Sequence, residues 1–130
     1  MNLHITLVAA AIAALINMWL AWRCGAVRGK EKIMHGDGGN ALLTRRMRAQ
    51  ANFVEYTPLV LILVGALEAT GHGGWPLAAT VALFLFGRIL HGIGMEGEGP
   101  TKPRMIGMLL TLPILLGLAI AALLAAFDVI

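Results

Sequence analysis

The sequence predicts an all-α integral membrane protein, a bundle of four helices, and three observations carry that reading. Of 130 residues, 58% are hydrophobic and only 13% are charged, and the mean hydropathy is +0.80. That balance lies far from a soluble globular average and leaves no room for a separate water-facing domain, so residues 1–130 read as one membrane unit. Four long apolar stretches follow one another with short polar connections between them. All 10 Lys and Arg residues fall at two of those connections. Arg23, Arg28, Lys30, Lys32, Arg45, Arg46 and Arg48 surround the first, and Arg88, Lys102 and Arg104 surround the third. By the positive-inside rule both basic connections are expected in the cytoplasm and both termini on the other side, as for a bacterial inner membrane protein. The net charge of +3 follows from this topology. No basic surface interleaved with aromatics points to nucleic acid.

The first span is expected over residues 3–22. Its length and the absence of a basic leader favour a retained span over a signal peptide. The second is expected over 41–69, with Asn40 as N-cap after the Gly36-Asp37-Gly38-Gly39 turn and a cytoplasmic extension before the bilayer. Pro58 inside it removes a backbone donor. A tight turn at Gly71–Gly74 leads to a third span over 75–95. The fourth is expected over 104–127, with Pro103 suiting its first turn and Thr101 or Lys102 as N-cap. Alanines at four-residue spacing (Ala121/Ala125, Ala122/Ala126) permit close packing there, though chance spacing in an Ala-rich span explains them equally well.

Ionisable groups at bilayer depth are costly, which makes them functional candidates. On a helix of about 100° per residue, Arg45, Arg48, Asn52 and Glu55 share one stripe. Arg88, His91 and Met95 share a face of the third span. An Arg88–Glu55 ion pair is the plain structural reading, but one carboxylate cannot neutralise Arg45, Arg48 and Arg88 together. The surplus cation suggests an anionic ligand. Arg104 sits in a helix first turn, where the partial positive charge of the helix end would help to stabilise a thiolate or carboxylate; anchoring at the headgroups is the alternative. Asn17 and Arg28, eleven residues apart, share a face if the first helix continues that far. Arg23 and Arg46 read as headgroup or solvent charges. Glu96 and Glu98 read as solvated loop charges, or as partners of Lys102 or Arg104. The histidines and the single Cys24 show no metal-ligand spacing, and a chain without serine has no serine nucleophile.

Arg48-Ala49-Gln50-Ala51-Asn52-Phe53-Val54-Glu55-Tyr56-Thr57-Pro58 resembles the second-helix pattern of the family called membrane-associated proteins in eicosanoid and glutathione metabolism (MAPEG). Gly87-Arg88-Ile89-Leu90-His91, with Arg104 downstream, is similar to that family's third- and fourth-helix residues. The resemblance, which is closest to small bacterial members, implies a homotrimer binding glutathione between subunits and conjugating it to lipophilic electrophiles in detoxification, with peroxidase activity as a further expectation. Membrane lipids and a lipophilic substrate are the other implied partners. Position by position, it implies that Arg48, Gln50, Asn52, Glu55 and Tyr56 bind glutathione with Arg88 and His91, and that Arg104 stabilises the thiolate. Arg28, or else Arg23, would match a first-helix arginine that reaches the peptide. Glutathione carries two carboxylates and one ammonium, a fit to several arginines and one glutamate. Met95 departs from the family, several of whose members have tyrosine there, and a thioether cannot donate a hydrogen bond.

Two other readings compete. One is a non-catalytic lipid- or glutathione-binding member of the same fold. The other is a small drug exporter, which would need an acid in the first span, where this chain has Asn17.

Overall fold

The computed structural model describes residues 2–130 as four helices in the order α1 (His4–Glu31), α2 (Ala41–Ala69), α3 (Trp75–Gly94) and α4 (Lys102–Ala126). No strand occurs among the described residues. All four are long and apolar enough to cross a membrane. At 1.5 Å per residue, roughly 20 residues cross a hydrocarbon core of about 30 Å. The 28-residue α1 and 29-residue α2 therefore project beyond it. α1 runs past Trp22 to Glu31 instead of ending where the hydropathy falls. It stops at Lys32, which takes a left-handed conformation (φ 56°) and returns its N–H to the Arg28 carbonyl.

Each later helix starts with a local device. The Asn40 side chain accepts from Leu43 N at 2.9 Å, which satisfies one of the free donors of the first turn of α2. Asp37 accepts from Gly39 N at 3.0 Å and Thr44 Oγ1 at 2.9 Å, fixing the turn before it. Pro76 and Pro103 lie in the first turns of α3 and α4, where a missing N–H costs nothing. Thr101 is the N-cap residue of α4, but its hydroxyl is used elsewhere, donating to the Gly94 carbonyl at 2.7 Å.

The start of α1 is different. Its N-cap position, Leu3, has no side chain able to cap. The Glu68 carboxylate, from the far end of α2, accepts from Ile5 N (2.8 Å), Thr6 N (2.8 Å) and Thr6 Oγ1 (2.7 Å). A carboxylate at a helix N-terminus also meets the positive end of the helix dipole.

Packing pairs α3 closely with α4 and α1 with α2, and α2 also reaches α3 and α4. A continuous core contains Ile16, Leu20, Phe53, Val60, Val64, Val81, Phe84 and Leu118. Along α4, Ala121, Ala122 and Ala125 pack against that core. Gly87 and Gly107 allow α3 and α4 to touch: a β-carbon on Gly107 would stand 2.6 Å from the Gly87 carbonyl oxygen and 2.7 Å from His91 Cβ. Trp22 and Trp75 are 70% and 81% exposed near opposite ends of the bundle, where indole rings suit the membrane–water boundary.

Candidate functional site

The polar chemistry of the bundle gathers toward the end that carries the basic residues. Arg88 lies at its centre and is only 1% exposed. Its Nη1 donates to Thr111 Oγ1 at 3.0 Å, and its Nη2 to Asn52 Oδ1 at 2.5 Å. Nη2 also lies 3.2 Å from His91 Nδ1. A guanidinium has only donors, so Nδ1 must accept and the ring proton sits on Nε2. Thr111 completes the relay by donating to the Gly107 carbonyl at 2.7 Å. The guanidinium also stands 5.9 Å from the Tyr56 ring, within cation–π range.

This arrangement replaces the Arg88–Glu55 ion pair that spacing allowed. Every side-chain partner of Arg88 is neutral, and Glu55 points outward, exposed. Asn52 takes the place expected of the carboxylate because, on the stripe of α2, it faces α3. Two buried polar atoms have no partner among the described residues, Arg88 Nε and Thr57 Oγ1. Sequence reasoning missed Thr111. A single threonine in a leucine-rich helix gives no periodic signal, and its one clue is the four-residue spacing from Gly107.

A second cluster lies between α1, α2 and the α3–α4 connection. Glu96 accepts from Arg23, and from Arg46 Nε (2.8 Å) and Nη2 (3.2 Å). Arg23 is buried, donates to the Gly92 carbonyl at 2.9 Å, and stacks over Trp19 at 4.6 Å. Arg46 Nη1 donates to the Arg23 carbonyl at 2.7 Å. Arg23 and Arg46 are therefore not free interfacial charges, and Glu96 pairs with them instead of with Lys102 or Arg104. Burial raises the Glu96 pKa, but the hydrogen bonds and charges of Arg46 and Arg23 outweigh it and hold the carboxyl below its ordinary value. Arg45 donates to the Glu96 carbonyl at 3.1 Å and approaches Glu98 at 4.0 Å.

The remaining candidates divide between two faces of α2. Gln50 Nε2 donates to Asn17 Oδ1 at 3.3 Å. Gln50, Arg28, Cys24 and Met47 line a groove of about 430 Å³ between α1 and α2. Arg28 reaches the Gly36 carbonyl at 2.8 Å and Met47 Sδ at 3.5 Å. At about 100° per residue, the Met47/Gln50/Ala51 face lies roughly 115° around the helix from the Arg48/Asn52/Glu55 face. Arg48, Glu55 and Arg104 are exposed, and with the Tyr56 hydroxyl they make no side-chain hydrogen bond or ion pair among the described residues. Met95 caps α3 and packs half-buried against the core.

Four helices long enough to cross a membrane are what the resemblance implied, and arginine, asparagine and histidine converge from α2 and α3. A family model described as MAPEG family matches residues 6–124. The chain belongs to the MAPEG family. Among curated proteins it is similar to the inner membrane protein YecN of Escherichia coli strain K12, with 29% identity over 87 residues. That match covers 67% of this chain and 66% of the relative. The same protein from Escherichia coli O6:H1 matches equally. Membership of MAPEG, together with four apolar helices, makes this an integral multi-pass membrane protein.

Proposed function

We propose that this MAPEG protein is a membrane-bound glutathione transferase that conjugates glutathione to lipophilic electrophiles. One observation carries the reading. At the basic end Arg23, Arg28, Arg45, Arg46 and Arg88 are all engaged within the chain, whereas Arg48, Glu55, Arg104 and the hydroxyl of Tyr56 are left uncommitted among the described residues. Two exposed cations and one exposed carboxylate, with a half-buried phenol beside them, call for a ligand that carries both signs of charge. Glutathione supplies two carboxylates for the arginines and an ammonium for Glu55.

The residues then divide the work. Arg48, Asn52, Glu55 and Tyr56 hold the peptide. Arg88 is enclosed and organises Asn52 and His91 from behind, leaving Asn52 Nδ2 and His91 Nε2–H as donors. Arg104, with the partial charge of the first turn of α4, stabilises the thiolate. The thiol proton leaves to solvent, and the sulfur attacks an electrophile that arrives from the bilayer. Peroxidase chemistry would use the same thiolate. Arg28 of α1 and Gln50, on another face of α2, line the separate α1–α2 groove, so one chain does not gather the whole set. A neighbouring copy in a homotrimer would bring the α1–α2 groove to the Asn52 face. By likeness to YecN we assign the protein to a bacterial inner membrane, with both basic connections cytoplasmic.

Titrating purified protein with glutathione while following the ultraviolet absorbance of the thiolate, then adding a hydrophobic electrophile, tests the reading. Binding, thiolate and conjugate are expected in turn, and absence of binding ends it. A non-catalytic, glutathione- or lipid-binding role is the second reading, and Met95 favours it. Its thioether packs on the core and offers no hydrogen-bond donor where several family members carry tyrosine. That role predicts binding without conjugate.

A further inference from the structure

Glu96 belongs to none of the groups assigned to glutathione, yet two other helices hold it. Its carboxylate joins Arg23 of α1 to Arg46 of α2, and its carbonyl takes Arg45. Around it the backbone is pinned again: Arg23 holds the Gly92 carbonyl, and Arg46 holds the Arg23 carbonyl. Two helices and one loop thus meet on a single acidic side chain, and α3 is tied in through Arg23.

The loop in question sets where α4 begins. The backbone nitrogen of Arg104 packs directly on Gly94, so closely that a β-carbon on Gly94 would overlap it. Thr101 donates to the Gly94 carbonyl from the other end of the same connection. The Arg104 side chain makes no bond of its own, so its position is inherited from the backbone between Gly94 and the first turn of α4. Farther along, α3 and α4 are already fastened by Gly87 against Gly107 and by Arg88 to Thr111. The clasp is not needed to hold those helices together. With its side chain 37% exposed, Glu96 contributes little to global stability. Its consequence is local.

We propose that Glu96 is a positioning residue for Arg104: by clasping Arg23 and Arg46 it fixes the α3–α4 connection so that the Arg104 guanidinium stands where the bound sulfur ionises. This rests on the glutathione reading given above. A displacement of about 1 Å at a reacting centre can cost up to ~100-fold, and a loop released from its clasp moves on that scale.

The test uses the full chain in a lipid bilayer. The thiolate absorbance of bound glutathione is followed against pH, and binding is measured separately by calorimetry. For Glu96→Gln the apparent thiol pKa is expected to rise by about one unit, a roughly tenfold loss of thiolate near neutrality, with the dissociation constant changed by less than about threefold. Glu96→Asp, which restores the charge on a shorter arm, is expected to fall between Glu96→Gln and the parent. An unchanged thiol pKa in Glu96→Gln overturns the proposal. A parallel fall in binding, thiolate and melting temperature overturns it too, because that is the mark of a merely structural role. In both of those outcomes the parent still forms thiolate, so the glutathione reading survives. A parent protein that binds no glutathione removes that reading and this proposal with it. Should Glu96→Gln not fold, Arg46→Gln removes the two bonds from α2 to the Glu96 carboxylate and the one to the Arg23 carbonyl, and keeps the Arg23–Glu96 pair. A smaller rise in thiol pKa is then expected, and no rise overturns the proposal.

Discussion

The two ends of the bundle solve the same problem, an ionised side chain among apolar helices, in opposite ways. At the far end the carboxylate of Glu68 has no Lys or Arg nearby in sequence and is spent entirely on one job, closing the first turn of α1. At the basic end the arginines outnumber the carboxylates, and after Glu96 and the neutral partners of Arg88 have been used, Arg48 and Arg104 remain over. Saturation marks Glu68 as structural. Surplus at the basic end is what the proposed ligand would answer.

The largest effect expected from that contrast is functional. Arg104→Ala should abolish the thiolate signal, a loss of about 100-fold or more, while most glutathione binding remains. Equal loss of both in the titration would break the division between the residues that hold glutathione and the one that ionises it. Next comes packing. Gly94→Ala forces a β-carbon into the Arg104 backbone and should cost about 3 kcal/mol in denaturant or thermal unfolding. Gly73→Ala, at the far end, meets the Glu68 Cγ at 3.3 Å, on a flexible side chain, and the Glu68 Cα at an ordinary 3.9 Å, and should be nearly silent.

Smaller still is the effect of Glu68→Ala. It frees the amides of Ile5 and Thr6, and their hydrogen exchange should quicken by about tenfold while glutathione binding is unchanged. A change in binding would mean that the two ends are coupled. The smallest effect is a slope with pH. The carboxyl of Glu96 is held below its ordinary value of 4.5. Its contribution is therefore fully present above the unfolded pKa and is lost as pH falls through the lowered folded value. The melting temperature of the parent should decline more steeply below about pH 4.5 than that of Glu96→Gln.

The fold was largely readable because its signals are local and strong. Apolar runs, Asn40 before α2, and Pro103 in the first turn of α4 each declare an element by themselves. The end of α1 was not readable. Hydropathy falls at Trp22, but a helix stops only where its backbone does, and here that is Lys32. The α2 and α3 residues near Arg88 could be proposed from spacing and resemblance, yet their partners could not. Arg23 and Glu96 lie 73 positions apart, and Ile5 and Glu68 lie 63 apart. No periodicity within one helix reports a pair of that kind. A rule of charge accounting would have found Glu68: an acid at an end without Lys or Arg needs donors from somewhere, and the start of an uncapped helix offers them. Thr111 had no such rule to expose it.

That carboxylate also bears on how the chain is made. The amides of Ile5 and Thr6 exist as soon as α1 is synthesised, but the group that satisfies them arrives only after the whole of the first connection and nearly all of α2 have followed. Until residue 68 is in place, the start of the first span has no protein partner for those donors. The smallest unit that can leave water with its backbone complete is therefore the α1–α2 hairpin, not the first helix.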